Sequence, residues 1–175
     1  MYFSAAQVVM ANRAFQDAEQ WTSAFFRHRP GHWSLPRYDV KTRPLAAHEM
    51  SEEAFAQLCR YEYERHPRQG QGKESFHFYH VCLQDDVILD AVERAHSFIK
   101  FRPLLQYIAT HELVHMIRFD MGMMDFDAPS ADKQREEERV HAITRHILEP
   151  FENMDLKLVI ECFSDQYQIW QLTSH

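Results

Sequence analysis

With 175 residues, 45% of them hydrophobic and 13% aromatic, and with only 4 glycines and 7 prolines, the chain is large enough to bury a core of its own, and its composition excludes a disordered or low-complexity protein. A formal charge of −7 argues against wholesale binding of nucleic acid or anionic lipid. No apolar run approaches the roughly 20 residues that cross a bilayer, and Met1 to Arg13 lacks the basic-then-apolar pattern of an export signal; the expectation is one cytoplasmic domain over residues 1–175, with no membrane partner.

From Ala5 to about Phe26, Val8, Phe15, Trp21 and Phe25 recur at helical spacing and predict a first amphipathic helix. Pro30, Gly31, Pro36 and Pro44 break the next stretch, in which only Tyr38 to Lys41 reads as a short strand. Ser51 precedes Phe55, Leu58 and Tyr61, a spacing that predicts a second helix from about Glu52 to His66, stopped by Pro67. After a polar loop, Phe76, Phe78, Val81 and Leu83 predict a strand, either alone or with a second one around Val87 to Leu89 as a hairpin. Pro103 fits the first turn of a helix that Gly122 ends, Ser130 or Asp132 caps another through about Leu148 before Pro150, and Leu156 to Trp170 offers a last helix. Cys59, Cys82 and Cys162 are odd in number and far apart, so they read as free thiols rather than a disulfide framework or a thiolate zinc site.

The string that carries chemistry is His111-Glu112-Leu113-Val114-His115. Helical residues four apart differ by about 40° around the axis and about 6 Å along it, so both imidazoles project from one face and can converge on one ion. Glu112 lies on the neighbouring side, placed to touch a water on that ion without binding it. Catalytic zinc takes three protein ligands and keeps a water as the fourth. The run Arg135-Glu136-Glu137-Glu138-Arg139-Val140-His141 offers three carboxylates and an imidazole for the missing ligand; its bland reading is a solvated charged helix face.

Over residues 103 to 150 this pattern resembles the ImmA/IrrE-type zinc metallopeptidases of the Glu-zincin group. In those proteins a His-Glu-x-x-His helix is followed by a helix that begins with a glutamate ligand and closes on Leu-Leu-x-Pro, matched here by Ile147-Leu148-Glu149-Pro150. Val114 stands where the family often has glycine, and His141 where it has a smaller polar residue. The resemblance implies an α+β, helix-rich, zincin-like domain with a small sheet beside the metal cleft. It also implies one zinc ion on His111, His115 and Glu137, Glu112 as the base, and a peptide or protein as substrate. Glu138 and then His141 follow Glu137 as alternative third ligands. A noncatalytic zinc-binding module on the same scaffold is the second reading, and a domain that binds no metal the third.

Weaker features complete the reading. His77, Tyr79 and His80 lie on the predicted strand, whose edge would hold an extended peptide by main-chain hydrogen bonds. Met121, Met123, Met124, Phe98 and Phe101 read as core.

Overall fold

The computed structural model describes residues 1–28, 34–42, 54–65 and 74–164. The fold is α+β: helices dominate, and three strands form one mixed sheet. In chain order the elements are α1 (Ala5–Arg27), β1 (Arg37–Lys41), β2 (Ala56–Arg65), β3 (Glu74–Leu83), α2 (Asp85–Arg94), α3 (Phe101–Asp120), α4 (Ser130–Leu148), a 3-10 turn (Glu149–Phe151) and α5 (Met154–Ser164). No described helix is long and apolar enough to cross a membrane.

Helix α1 starts on a capping box. Ser4 Oγ accepts from the Gln7 N–H, and Gln7 Oε1 accepts from the Ser4 N–H at 2.8 Å, so two otherwise unpaired donors are satisfied. Ala11, Ala14 and Ala18 are buried on one side of α1, and these small residues let it lie close against α3. Helix α3 is the centre of the fold: it also packs on α4 and α5 and touches β2 and β3. Its end is set by Gly122, whose φ of 68° is a conformation that disfavours a Cβ. The Gly122 N–H bonds back to Phe119 O at 3.0 Å and the Met123 N–H to Arg118 O at 2.9 Å, which closes the last turn and lets the chain return along α3 as α4.

The strand order is β1-β3-β2, with β1 parallel and β2 antiparallel to β3. Tyr79, Val81 and Leu83 of β3 are fully buried and belong to the main core with Ile88, Leu104, Leu105 and Leu113. On the opposite face, Tyr63 stacks on Phe76 with centroids 5.5 Å apart, and both rings are exposed.

Two expected elements are corrected. The span read as a helix from Glu52 to His66 is strand β2 over Ala56–Arg65; the notional cap at Ser51 to Glu53 lies outside the described residues. The three-residue spacing of Phe55, Leu58 and Tyr61 imitated a helical face. The alternation of Leu58, Arg60 and Glu62 with Cys59, Tyr61 and Tyr63 is the pattern that pairs with β3. The second strand of the expected hairpin, around Val87 to Leu89, is helix α2, where Asp85 and Asp86 sit in the first turn and favour the positive helix end. Ser130 is the first residue of α4 rather than its cap, since Pro129 holds the cap position with no side-chain hydrogen bond. The last helix is described to Ser164, and its expected continuation to Trp170 lies outside the described residues. Cys59, Cys82 and Cys162 form no disulfide among the described residues. Phe101 packs against the core as expected, whereas Phe98 and Met123 are exposed.

Candidate metal centre

His111, Glu112 and His115 occupy the middle of α3, where almost every position is buried. Helix α4 runs back across this surface and delivers Glu137. The His111 Nε2 lies 2.9 Å from Glu137 Oε1, and the His115 Nε2 lies 3.0 Å from Glu137 Oε2. Thus two imidazoles spaced four apart meet one carboxylate from the next helix. The His111 and His115 rings are 4.7 Å apart, edge to face.

One residue earlier on α4, Glu136 faces a different partner. Its carboxylate accepts from Arg118 Nε and, at 3.0 Å, from Arg118 Nη2, and both side chains are buried. This two-point pair, three residues beyond His115, sets how α3 and α4 lie against each other and therefore where Glu137 falls. Glu138 is exposed and takes no part. His141, one turn after Glu137, joins the cluster: its Nε2 is 3.3 Å from Glu137 Oε1, and its Nδ1 is 2.8 Å from the Tyr107 hydroxyl. Ligand atoms of His111, Glu137 and His141 all lie within 4.8 Å of one another.

Electrostatics follow from the burial. Burial pushes His111 down to about 4, against the opposing pull of its Glu137 hydrogen bond. For His115, burial also works against the charge, yet the hydrogen bond and charge of Glu137, with Glu112 and Glu136 behind them, outweigh it and move the pKa up. Burial alone would raise Glu137, but hydrogen bonds from His111, His115 and His141 hold it well below the usual carboxylate range. Glu112 has no such donors and is pushed by burial up to about 7.

These residues fit a divalent metal of zinc's type. Two buried imidazole nitrogens meet a half-exposed carboxylate, donors of the kind zinc takes, and the ligand atoms that converge on one another are those of His111, Glu137 and His141. The Nδ1 atoms of both histidines are buried, with no hydrogen-bond partner among the described residues. Ring packing orients them instead: His115 stacks on Phe119 at 5.7 Å, and His111 packs against the rings of Tyr107 and His141, 6.3 and 4.5 Å away.

A cavity of about 140 Å³ opens beside the cluster, lined by Ala54, Phe55, Ala56, Ile108, Phe163 and the site residues Tyr107, His111, Glu112, Glu137 and His141. The start of β2, an edge strand, thus forms one wall, where the expected sheet edge was assigned to His77, Tyr79 and His80. Those three sit on β3, the central strand, where Tyr79 and His80 are paired on both sides, whereas His77 pairs with Glu62 of β2 and precedes the first β1 pairing at Phe78. His77 instead lies 3.8 Å from Asp120 at a larger open cleft of about 1070 Å³, which contains none of the cluster.

Tyr107 and the Arg118–Glu136 pair escape a reading based on motif alone. Tyr107 stands four residues before His111, so the helical phase that aligns the two histidines also places it on their face. Comparisons of the chain with protein-family models, with curated protein sequences and with solved structures found no match.

Proposed function

We propose that this protein is a zinc-dependent hydrolase of peptide bonds, with His111, His115 and Glu137 as metal ligands and Glu112 as general base. The observation that carries the reading is the meeting of both Nε2 atoms with one carboxylate, at 2.9 and 3.0 Å, beside a cavity that Glu112 also lines. The same residues carry the resemblance of residues 103 to 150 to the ImmA/IrrE-type peptidases. Zinc, when bound, lowers the pKa of water toward about 7 and polarises a carbonyl.

This chain's own residues do the rest. Glu112, which lines the cavity, would take the proton from a water there as that water adds to the scissile carbonyl, and would return it to the amine as the C–N bond breaks. Ala54 to Ala56, at the edge of the sheet, offer a wall along which an extended chain could lie. The second reading, a closed zinc-binding module, is favoured by one observation: His141 stands close enough to the cluster to serve as a further ligand.

Glu112→Gln tests the enzyme. The variant is expected to fold and hold zinc as the parent does, and to lose hydrolysis of a peptide that the parent cleaves by roughly 10² to 10⁴, the usual contribution of a positioned acid-base group. Equal cleavage by parent and variant at equal zinc content would exclude Glu112 as the base.

A further inference from the structure

His141 is the residue on which the two readings divide, and its other side is occupied. Its Nδ1 meets the hydroxyl of Tyr107 at 2.8 Å while its Nε2 faces Glu137 Oε1 at 3.3 Å. Tyr107 is 3% exposed, its ring is stacked on Phe163 with centroids 4.1 Å apart, and among the described residues its hydroxyl has no hydrogen-bond partner except His141.

In a neutral imidazole one nitrogen carries the proton and the other accepts, and a metal can be bound only through the accepting one. Two arrangements are therefore available. In the first, the Tyr107 hydroxyl donates to Nδ1, so Nε2 carries the proton and donates to Glu137. Every polar atom is then used in its proper sense. In the second, Nδ1–H donates to the Tyr107 oxygen and Nε2 presents its lone pair to the metal. The buried phenol proton is then left without an acceptor among the described residues, and a lone pair on Nε2 faces a carboxylate oxygen whenever the metal is gone. Burial also pushes the Tyr107 phenol up, so it keeps its proton. The first arrangement satisfies more groups and leaves none opposed.

Building on the zinc reading above, we propose that Tyr107 is a positioning residue that holds the proton on His141 Nε2 and thereby keeps His141 out of the metal's coordination shell. His141 then steadies Glu137 through Oε1, and the protein ligands stop at three. A metal held by three protein ligands would keep one position for water, and the cavity lined by His111, Glu112 and Glu137 has room for it. The pair Tyr107–His141 is thus what keeps a cluster of four potential ligands from closing.

The test reads protons directly. Protein labelled with ¹⁵N at histidine is examined by long-range ¹H–¹⁵N spectroscopy before and after one equivalent of zinc, with His141 assigned by its absence in His141→Gln. The expected result is an Nε2–H tautomer for His141 in both states, while His111 and His115 bind zinc through Nε2. Tyr107→Phe keeps the ring packed on Phe163 and removes only the hydroxyl, which frees His141 Nε2 to bind. That variant is expected to hold zinc about tenfold more tightly than the parent, on the scale by which residues behind a metal's ligands tune its affinity. Adding His141→Gln to it should abolish the gain. A purely structural tyrosine would give the opposite sign or none. Zinc binding by His141 Nε2 in the parent, or affinity no tighter in Tyr107→Phe, would overturn the proposal. If the parent binds no zinc at all, the metal reading itself falls, and the metal-free spectrum still decides the tautomer: a proton found on Nδ1 overturns the inference.

Discussion

Glu136 and Glu137 are adjacent, equally charged and given opposite tasks by the roughly 100° turn between successive helical residues. Glu136 is spent on Arg118 in a buried two-point pair, and Glu137 on three imidazoles. The substitutions Glu136→Gln and Glu137→Gln should therefore separate two properties. Breaking a buried ion pair leaves an uncompensated guanidinium, so Glu136→Gln is expected to lower stability by roughly 3 kcal/mol while the remaining chain still takes up zinc. Glu137→Gln is expected to weaken zinc binding far more than it weakens the fold. Denaturation and zinc titration of both variants check this, and equal loss of zinc in the two would show that Glu137 has no special place. Glu112 gives a second prediction, for the metal-free protein. Its folded pKa of about 7 lies above the usual 4.5, so between these values the folded state binds more protons than the unfolded state, and stability falls as pH rises through that window. Glu112→Gln abolishes this loss. The variant's stability relative to the parent should rise between pH 4.5 and 7 by on the order of 3 kcal/mol. A difference that stays flat with pH would refute the buried, proton-holding carboxylate.

At the level of elements, the contact of α1 with α3 depends on small side chains. Ala18 is fully buried there, whereas Val9 on the same helix is 49% exposed. Ala18→Leu is expected to cost about 1 to 3 kcal/mol by overpacking. Val9→Ala should stay within about 0.5 kcal/mol of the parent, and chemical denaturation compares them. If Ala18→Leu is tolerated equally well, the helices are not held at close range by that residue. The same scale explains what could be read beforehand. Helices α1, α3 and α4 were legible because their apolar spacing is long, and because Gly122 and Pro150 punctuate it. The site was legible in part for the same reason: a helical repeat of four fixes where His111 and His115 point before anything is known of the tertiary structure. Strand β2 was not, since Phe55, Leu58 and Tyr61 satisfy a helical spacing that only pairing with β3 overrules. Nor was α2, whose Val87-Ile88-Leu89 run is too short for periodicity to separate a buried helix from a strand. Tyr107's role was hidden by distance, because His141 lies 34 residues away and reaches it only once α4 has folded back.

On the scale of the whole molecule, a metal that binds the folded chain and not the unfolded one must raise its melting temperature. At a free zinc concentration about a thousand times the dissociation constant the gain is about 4 kcal/mol, or on the order of 10 °C for a chain of this size. His111→Ala should melt at the same temperature with and without zinc. A parent protein indifferent to zinc in the same assay would end the metal reading. The central position of α3 has a further consequence, for the timing of proton exchange at its amides. Helix α3 is packed against α1, α4, α5 and the sheet and is buried along most of its length. Its amides, those of His111, Glu112 and His115 among them, should exchange with solvent deuterium only when the entire chain opens, later than those of the edge strand β1. The candidate ligands and base would then share the longest-lived part of the fold, assembled and dismantled with it as a unit.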